Sequence, residues 1–249
     1  MNAPFKFKHF EVHQSDSAMK VGMDAMLLGA LSEIKDEQNI LDIGGGTGVL
    51  SLMLAQQRAT QINNLSFKIT AIEIDEKAAI EADLNFKRSP WAKHLQVIRQ
   101  SFDEFLQNNT DLYDFIISNP PFFNGGLEAH QRGTKMENSR KVARISHHLN
   151  LSEIFRGVNQ IMSDNGVFYF IYPYQNHDEI LELSNQYQLF PVNIIFVKSF
   201  KEGVPIRGIY AFKKTRNACM ESELIIYESH RVYSAQYREL TKEFHGTNI

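Results

Sequence analysis

The first feature that indicates chemistry is the tetrapeptide Asn119-Pro120-Pro121-Phe122, which follows a run of buried-strand composition. Two prolines cannot extend a central strand, so the chain must leave the sheet here in a fixed conformation. The Asn119 side-chain oxygen and the Pro120 carbonyl oxygen could accept the two hydrogens of a planar amine, and Phe122 could stack on its ring. Such acceptors gain most as positive charge develops on the nitrogen. Asn119, Pro120 and Phe122 are therefore candidate catalytic residues, although the tetrapeptide alone would also fit an ordinary proline turn.

A glycine-rich turn between a predicted strand and a predicted helix could hold a small-molecule cofactor. Gly44, Gly46 and Gly48 follow the strand that contains Asp42. Glycines suit a tight turn whose backbone must approach a ligand without a Cβ in the way. Val49 stands where the dinucleotide fingerprint needs its third glycine, and no Gly-Lys-Ser/Thr follows as in a P-loop. Asp42 and the three glycines are candidate cofactor-binding residues.

Two further strand ends extend the candidate cofactor site. Glu73 lies at the end of the second core strand, where its two oxygens could accept both hydroxyls of a ribose. Asp75 is better explained as the N-cap of the next helix. Ser101 and Phe102, after the third core strand, would lie beside an adenine ring, although Phe102 could instead belong to the core. This combination predicts S-adenosylmethionine as the cofactor.

The segments that must position these residues alternate between strand and helix patterns. The strand patterns are Asn39–Ile43, Lys68–Ile74, Leu95–Arg99, Tyr113–Ser118, Val167–Tyr172, Asn193–Phe200 and Arg207–Lys213. The helical patterns are Val49–Gln57, Glu76–Arg88 and Leu151–Ser163. This alternation predicts a parallel sheet with helices on both faces, and the short last connection predicts an antiparallel pair. The expected fold is α/β: a Rossmann-like class I methyltransferase with a mainly parallel seven-stranded sheet and an antiparallel last strand.

The amino-terminal segment is predicted to form a short extension on this core. Phe5, Phe7 and His9 recur at period two, which indicates a strand or hairpin arm. A helix is predicted to run from the N-cap Asp24 to Leu31. No linker or repeat divides the chain. We therefore expect one methyltransferase domain over residues 1–249, with the arm and first helix in 1–35 and the core in 36–249.

Composition restricts the class of protein. Of 249 residues, 43% are hydrophobic and 22% are charged, which is typical of a globular protein. Cys219 is the only cysteine, which excludes an internal disulfide and fits the reducing cytoplasm. The sequence lacks the apolar run of a signal peptide or a membrane span, and the histidines show no metal-binding pattern. We expect a cytoplasmic monomer without a metal.

A basic segment follows the Asn-Pro-Pro-Phe motif within the predicted substrate loop 123–148 and could bind a phosphate backbone. Against the single acid Glu137, its cations between Gln131 and His148 are Arg132, Lys135, Arg140, Lys141 and Arg144. The net charge of −3 argues against a protein that coats nucleic acid over its whole surface, but a local basic loop suits phosphate contacts. A solvated loop with incidental cations is the alternative. A second, weaker basic cluster is predicted from Arg207, Lys213, Lys214 and Arg216.

Several segments resemble the bacterial valine-tRNA adenine-N(6) methyltransferases. They are Phe5–Phe10, Ala18–Ala30, Asn119–Phe122 and Thr241–Phe244, and the resemblance covers nearly the whole chain. It implies that the target is the adenine just 3′ of the anticodon in tRNA, and that Lys20 and Asp24 lie near the methionine end of the cofactor. Two positions depart from the family pattern. Met23 stands where threonine is commoner, and Gly45 where threonine or cysteine is commoner, which could shift cofactor affinity.

Three other functions fit parts of the sequence. The Asn-Pro-Pro-aromatic motif could bind another planar amine, in ribosomal RNA, DNA, a guanine or a protein glutamine. A noncatalytic cofactor- or RNA-binding module would keep the glycine turn but would not need Asn119. A nicotinamide oxidoreductase fits least, because Val49 interrupts its fingerprint. The basic loop favours a nucleic acid, so methylation of a tRNA adenine amine is the leading hypothesis.

Overall fold

The computed structural model describes residues 3–15, 20–61, 66–122 and 150–246. An amino-terminal hairpin contains β1 (Phe5–Lys6) and β2 (Glu11–Val12). The central sheet contains β3 (Asn39–Ile43), β4 (Lys68–Glu73), β5 (Leu95–Arg99), β6 (Tyr113–Ser118), β7 (Met162–Pro173), β8 (Phe190–Lys198), β9 (Pro205–Lys213) and β10 (Met220–Ile225). Their order across the sheet is β10, β8, β9, β7, β6, β3, β4, β5. Neighbours are parallel except at β9, which is antiparallel to both β7 and β8.

This arrangement confirms the predicted class I methyltransferase fold, with its mainly parallel sheet and its antiparallel strand. The described sheet has one strand more than the seven predicted, because β10 adds to its edge beside β8. The first four residues of β10 are exposed, and they include Glu221 and Glu223. An edge strand of this kind lacks the buried hydrophobic run that marks the inner strands, so the sequence pattern did not reveal it.

Helices cover both faces of the sheet. In the described ranges they are α1 (Met23–Leu31), α2 (Val49–Gln61), α3 (Glu76–Arg88), α4 (Phe102–Asn108), α5 (Leu151–Ile161), α6 (His177–Gln186) and α7 (Ala235–Thr241). A short hairpin of β11 (Tyr227–Ser229) and β12 (Val232–Tyr233) precedes α7. On β6, Phe115 and Ile117 belong to the hydrophobic cluster under α1 and α2, whereas Ile116 belongs to the cluster under α4 and α5. Both faces are therefore buried, which explains the continuous hydrophobic runs of the inner strands.

Two helix starts test the predicted N-caps. Asp75 caps α3 as predicted, because its Oδ1 accepts the Ala78 amide at 2.9 Å. The prediction that Asp24 caps the first helix is wrong, since α1 begins at Met23 with Gly22 as its N-cap. Asp24 lies in the first turn instead, and its carboxylate has a partner elsewhere in the fold, described below.

The amino-terminal arm is fastened to the rest of the chain at two points. Near the carboxyl terminus, Lys8 Nζ lies 2.8 Å from Glu243 Oε2. On α3, buried Asn85 exchanges hydrogen bonds with the backbone of His13 and also donates to the carbonyl oxygen of Thr47, each at 2.9 Å. Because Thr47 belongs to the glycine turn, Asn85 joins the arm to the candidate cofactor site. None of the described helices is long and apolar enough to cross a bilayer.

Candidate active site

The candidate site residues collect at one edge of the sheet. β3, β4, β5 and β6 are parallel, so their carboxyl ends lie side by side. Glu73 ends β4, Ser101 follows β5 and Asn119 follows β6. Ser118 Oγ, at the end of β6, donates to the carbonyl oxygen of Ile43, at the end of β3, at 2.9 Å. This bond places the start of the glycine turn directly beside the Asn-Pro-Pro-Phe motif.

The glycine turn is packed against the protein on the side of Gly48 and is open on the side of Gly44 and Gly46, which we call its open front. Gly44, Gly46 and Gly48 adopt φ values of 73°, 56° and 82°, which are left-handed conformations that cost other residues about 1–2 kcal/mol. A Cβ at Gly48 would lie 2.4 Å from Cε1 of Phe86, where α3 packs against the turn. A Cβ at Gly44 or Gly46 would meet no atom of the described residues within 4 Å. A ligand can therefore approach the backbone on the side of Gly44 and Gly46, which is the form that a cofactor cradle requires.

Position 45 favours glycine for a different reason. A Cβ on Gly45 would lie 2.9 Å from the Cβ of Ala71 on β4. The amides of Gly44 and Gly45 both donate to the Ile72 carbonyl oxygen, at 2.9 and 3.0 Å, and hold the turn against that strand. The departure of Gly45 from the family pattern thus matches a close approach between the turn and β4.

Glu73 connects the end of β4 to the turn. Its Oε2 accepts the Gly46 amide at 2.8 Å, and its Oε1 accepts the Asp75 amide at 2.7 Å. Burial raises the pKa of Glu73 above its ordinary value, although these two hydrogen bonds oppose the shift. The carboxylate is thus fixed beside the open front of the turn, where it was predicted to meet a ribose.

Asp42 lies beneath the turn rather than on its open front. It is fully buried, and its Oδ2 accepts hydrogen bonds from the Ser51 amide at 3.2 Å and the Ser51 hydroxyl at 2.7 Å. Its Oδ1 has no hydrogen-bond partner within the described ranges. Burial raises the pKa of Asp42 to about 6. The side chain therefore joins β3 to α2, and its contact with a cofactor remains a prediction.

Ser101 and Phe102, which were predicted to lie beside the adenine ring of the cofactor, have structural roles. Ser101 caps α4 in a capping box with Glu104: its Oγ accepts the Glu104 amide at 3.2 Å and donates to Glu104 Oε2 at 2.8 Å. Phe102 is 2% exposed, and its ring occupies the space beside Gly157 of α5, where an added Cβ would lie 2.4 Å away. The Phe102 ring is therefore a core side chain, which was the alternative that the sequence left open, and a contact between this segment and a cofactor stays a prediction.

The structure assigns clear partners to Lys20 and Asp24. Lys20 Nζ donates to the carbonyl oxygens of Gln14 and Ser15, the second at 3.3 Å, and so closes the loop at the end of the arm. Both Asp24 oxygens lie 3.1 Å from Nε of Arg207 on β9. The proximity of Lys20 and Asp24 to the methionine end of the cofactor stays a prediction.

Asn119 contributes a hydrogen-bond acceptor to the site through its side-chain oxygen. Its Oδ1 is buried and has no hydrogen-bond partner among the residues that the structure describes. Leaving a buried polar atom unpaired costs about 1–3 kcal/mol, so such atoms usually have a reason to be retained. Pro120, which follows, is buried and lacks an N–H, so it presents only its carbonyl oxygen. The chain thus offers two carbonyl oxygens, Asn119 Oδ1 and the Pro120 carbonyl oxygen, as acceptors at the point where the planar amine was predicted to bind.

Two side chains from distant elements contact the Phe122 ring. The ring of Tyr172, at the end of β7, lies 5.1 Å from the Phe122 ring at an interplanar angle of 89°. The guanidinium carbon of Arg207 lies 4.9 Å from the centre of the same ring, and Asp24 holds this guanidinium through Nε. Tyr172 and Arg207 were absent from the predicted site. The predicted antiparallel pairing was the available signal, because it places the first residues of β9 at the carboxyl edge of the parallel strands.

The predicted second basic cluster is wrong in its inclusion of Arg207. β9 separates its members, since Arg207 pairs with Pro173 at one end and Lys213 pairs with Phe190 at the other. Arg216 lies near Lys213, with its guanidinium 4.3 Å from the Phe190 ring and donating to Asn185 at 3.1 Å. The main basic segment, formed by Arg132, Lys135, Arg140, Lys141 and Arg144, falls outside the described residues.

Two observations bear on metal and thiol chemistry. Within the four described ranges, no group of three or more His, Cys, Asp or Glu side chains is arranged to hold a metal ion. Cys219 is exposed, and partial burial together with the nearby Glu221 charge raises the pKa of its thiol. A raised pKa disfavours the thiolate, which is the nucleophilic form.

Comparison with known proteins agrees with this geometry. Residues 15–168 match the family model described as the methyltransferase small domain. A tRNA1(Val) (adenine(37)-N6)-methyltransferase of Flavobacterium psychrophilum is 36% identical over 242 residues, which cover 97% of this chain and 98% of that protein. A protein of the same name from Bacteroides fragilis is 35% identical over 247 residues, covering 98% and 99%.

One solved structure is similar to this chain in its fold alone. A predicted O-methyltransferase of Agrobacterium tumefaciens has a TM-score of 0.65 at 17% sequence identity, covering 89% of this chain and 96% of that chain. The matches to relatives of known name run from end to end, and they confirm the family that the sequence resemblance predicted. The chain is an S-adenosylmethionine-dependent methyltransferase that belongs to the methyltransferase small domain family and, within it, to the tRNA1(Val) (adenine(37)-N6)-methyltransferases.

Proposed function

We propose that the chain transfers the methyl group of S-adenosylmethionine to N6 of adenine 37, just 3′ of the anticodon, in a valine tRNA. The full-length relatives carry this activity in their names. The single structural observation that carries the proposal is the buried Oδ1 of Asn119, which lacks a donor within the described part of the chain. An exocyclic amine supplies the missing donor.

The chemistry of an aromatic amine explains why acceptors are needed. The lone pair of such a nitrogen is delocalised into the ring, so the amine is a poor nucleophile. Hydrogen bonds to the Asn119 oxygen and the Pro120 carbonyl oxygen draw the nitrogen toward tetrahedral geometry and localise that lone pair. Both acceptors are neutral and would stabilise the positive charge that develops on nitrogen more strongly in the transition state than in the ground state.

Phe122 would orient the base that carries the amine. A nucleobase stacked on an aromatic side chain gains about 1–3 kcal/mol, enough to offset part of the cost of turning the base out of its RNA stack. The ring is held by Tyr172 at 5.1 Å and by Arg207 at 4.9 Å, so it is positioned before a base arrives. A fixed ring supplies alignment of the amine as well as affinity.

The residues that would hold the cofactor lie directly beside these acceptors. When bound, S-adenosylmethionine supplies an electrophilic methyl group on a positively charged sulfur. The open side of Gly44 and Gly46 admits a ligand to the backbone, and Glu73 offers carboxylate oxygens to ribose hydroxyls. Ser118 and Ile43 connect the two halves, so the donor and acceptor sites have a fixed relation.

The RNA partner implies further properties. The basic loop that was predicted to bind phosphates follows Phe122 directly in the sequence, which supports an RNA rather than a protein substrate. We further propose that the enzyme acts as a cytoplasmic monomer and that residues 1–249 form one catalytic domain. Ribosomal RNA, DNA, guanine and protein glutamine amines are the alternative substrates.

The test uses full-length enzyme, labelled S-adenosylmethionine and unmodified transcripts of the valine tRNA. A transcript with guanine in place of adenine 37 is the matched control, because it differs only at the proposed target. We expect label in the first transcript alone and N6-methyladenosine as the modified nucleoside by mass spectrometry. Equal labelling of both transcripts, label in methylguanosine, or label only in added protein would each overturn the proposed target.

A further inference from the structure

We propose that Arg207 binds a phosphate of the RNA beside the target adenosine while the face of its guanidinium holds the Phe122 ring. This role rests on the proposed function and adds a substrate-binding residue to it. Among the described residues, Arg207 is the cation in contact with the ring of the Asn-Pro-Pro-Phe motif.

The position of Arg207 follows from strand direction. β9 runs antiparallel to β7, and Arg207, near its beginning, pairs with Pro173, the last residue of β7. The first residues of β9 therefore lie at the edge of the sheet where β6 ends in Asn119. The side chain is 27% exposed, so an incoming ligand can reach it.

The contacts of Arg207 leave part of its guanidinium available. Nε lies 3.1 Å from both oxygens of Asp24, and Nη1 donates to the Ile206 carbonyl oxygen at 2.9 Å. No described residue accepts a hydrogen bond from Nη2. A guanidinium has five N–H donors in one plane, so the Nη2 edge can bind an anion while Nε keeps its carboxylate.

A phosphate is the ligand that fits this arrangement. The guanidinium carbon lies over the Phe122 ring, and Nη2 has no acceptor among the described residues, so the N–H groups of that edge can bind phosphate oxygens. The target base stacks on Phe122 in the proposed function, which brings the sugar-phosphate backbone of the same nucleotide within reach. Asp24 fixes the orientation of the guanidinium in advance, so less conformational freedom is lost on binding.

The chain provides a matched control for this residue. Arg216 also lies over a phenylalanine ring, Phe190, at 4.3 Å, and donates to an uncharged partner, Asn185. Phe190 begins β8 and pairs with Lys213 at the end of β9, so this second pair lies at the opposite edge of the sheet. An Arg216→Ala change removes the same kind of cation and ring contact far from the proposed site.

The first experiment measures tRNA affinity as a function of salt, without S-adenosylmethionine. Loss of one phosphate contact lowers the slope of log Kd against log salt by about 0.7 to 0.9, and we expect this change in Arg207→Ala with an approximately tenfold weaker Kd. Arg216→Ala should keep the wild-type slope. Weaker binding by Arg207→Ala with an unchanged slope would overturn the phosphate contact, as would an equal change in Arg216→Ala.

The second experiment separates charge from shape. Arg207→Lys keeps a positive charge but lacks the planar face, so it should keep the wild-type salt slope while kcat falls by about tenfold from the loss of ring support. A wild-type kcat in Arg207→Lys would overturn the role of the guanidinium face. Arg207→Ala leaves the Asp24 charge unpaired and could prevent folding. In that case the salt dependence of tRNA affinity is measured on the double variant Arg207→Gln with Asp24→Asn.

These outcomes are distinguishable from a failure of the proposed function. Wild-type methylation of the two transcripts tests the target alone, and the salt slopes need no turnover. An enzyme that methylates adenine 37 but shows equal slopes for wild type and Arg207→Ala retains its proposed function and lacks the Arg207 contact.

Discussion

The two halves of the candidate site differ in what they present to a ligand. In the cofactor half, Glu73 accepts the Gly46 amide, Asp42 lies beneath the turn with Oδ2 bonded to Ser51 and Oδ1 unpaired among the described residues, and the open space is left by missing side chains at Gly44 and Gly46. In the amine half, Asn119 keeps a buried oxygen without a partner in the described part of the chain. The cofactor half can receive a ligand because Gly44 and Gly46 have no side chains, and the amine half because Asn119 has an unpaired oxygen among the described residues.

This difference separates two kinds of substitution. Adding atoms should damage the cofactor half, because its open front depends on glycine. Removing atoms should damage the amine half, because in the proposed function its acceptors bind the reacting nitrogen. Each half can therefore be impaired while the other still binds its ligand.

The largest expected effect is on turnover in an Asn119→Ala variant. Removing one preorganised acceptor of developing charge lowers kcat by about a hundredfold to a thousandfold in comparable sites. The unfolding free energy should stay constant or rise, since the variant also removes a buried unpaired oxygen. Single-turnover kinetics measure the first quantity and chemical denaturation the second.

The control for Asn119→Ala is cofactor affinity. The glycine turn and Glu73 are unchanged in the variant, so calorimetry should give a Kd for S-adenosylmethionine within about twofold of wild type, which is a small difference in binding free energy. Turnover at the wild-type rate would show that Asn119 does not act on the amine. A parallel loss of cofactor affinity would show that the two halves are not separate.

The same contrast explains what could be predicted from sequence. The glycine turn, Glu73 and the Asp75 cap are set by residues close together in the chain, so spacing was enough to find them. The Asn-Pro-Pro-Phe motif was equally visible, because its four residues are consecutive. The parallel direction of the inner strands followed from the alternation of strand and helix patterns along the chain.

The features that escaped prediction depend on contacts between distant segments. Arg207 meets Asp24 across 183 positions of the chain, and Tyr172 reaches Phe122 from another strand. Spacing carries no information about such pairs. The sequence left two roles open for Phe102, beside the cofactor or in the core, because its place after a strand end is visible in the sequence whereas its packing against Gly157 of α5 is not. Strand β10 was missed because it is mostly exposed.

A second prediction concerns stability in the cofactor half. The folded-state pKa of Asp42 is about 6, above the ordinary 3.8, because the carboxyl is fully buried. As pH rises from about 4, the unfolded chain loses this proton first while the folded protein retains it, so the unfolding free energy falls until about pH 6. At about 1.4 kcal/mol per pKa unit, the decrease from this group is about 3 kcal/mol.

An Asp42→Asn variant isolates that contribution. Asparagine keeps an oxygen that can accept from Ser51 but has no proton to lose, so most of the decrease between pH 4 and 6 should disappear. Glu73 also has a raised pKa, and its smaller contribution of the same sign should remain. Denaturant titrations at several pH values measure the difference, and parallel curves for variant and wild type would contradict the assignment.

The smallest expected effect is the loss of cofactor affinity caused by one added methyl group, in a Gly46→Ala variant. The φ of 56° costs alanine about 1–2 kcal/mol of unfolding free energy, and the new Cβ enters the open front of the turn. We expect the Kd for S-adenosylmethionine to rise by about tenfold, a loss of about 1.4 kcal/mol in binding. Gly46→Asn is the matched control, because asparagine tolerates the left-handed conformation better but also fills the front. Both variants should lose cofactor affinity, and Gly46→Asn should lose less stability; wild-type affinity in both would mean that the cofactor binds on another face of the turn.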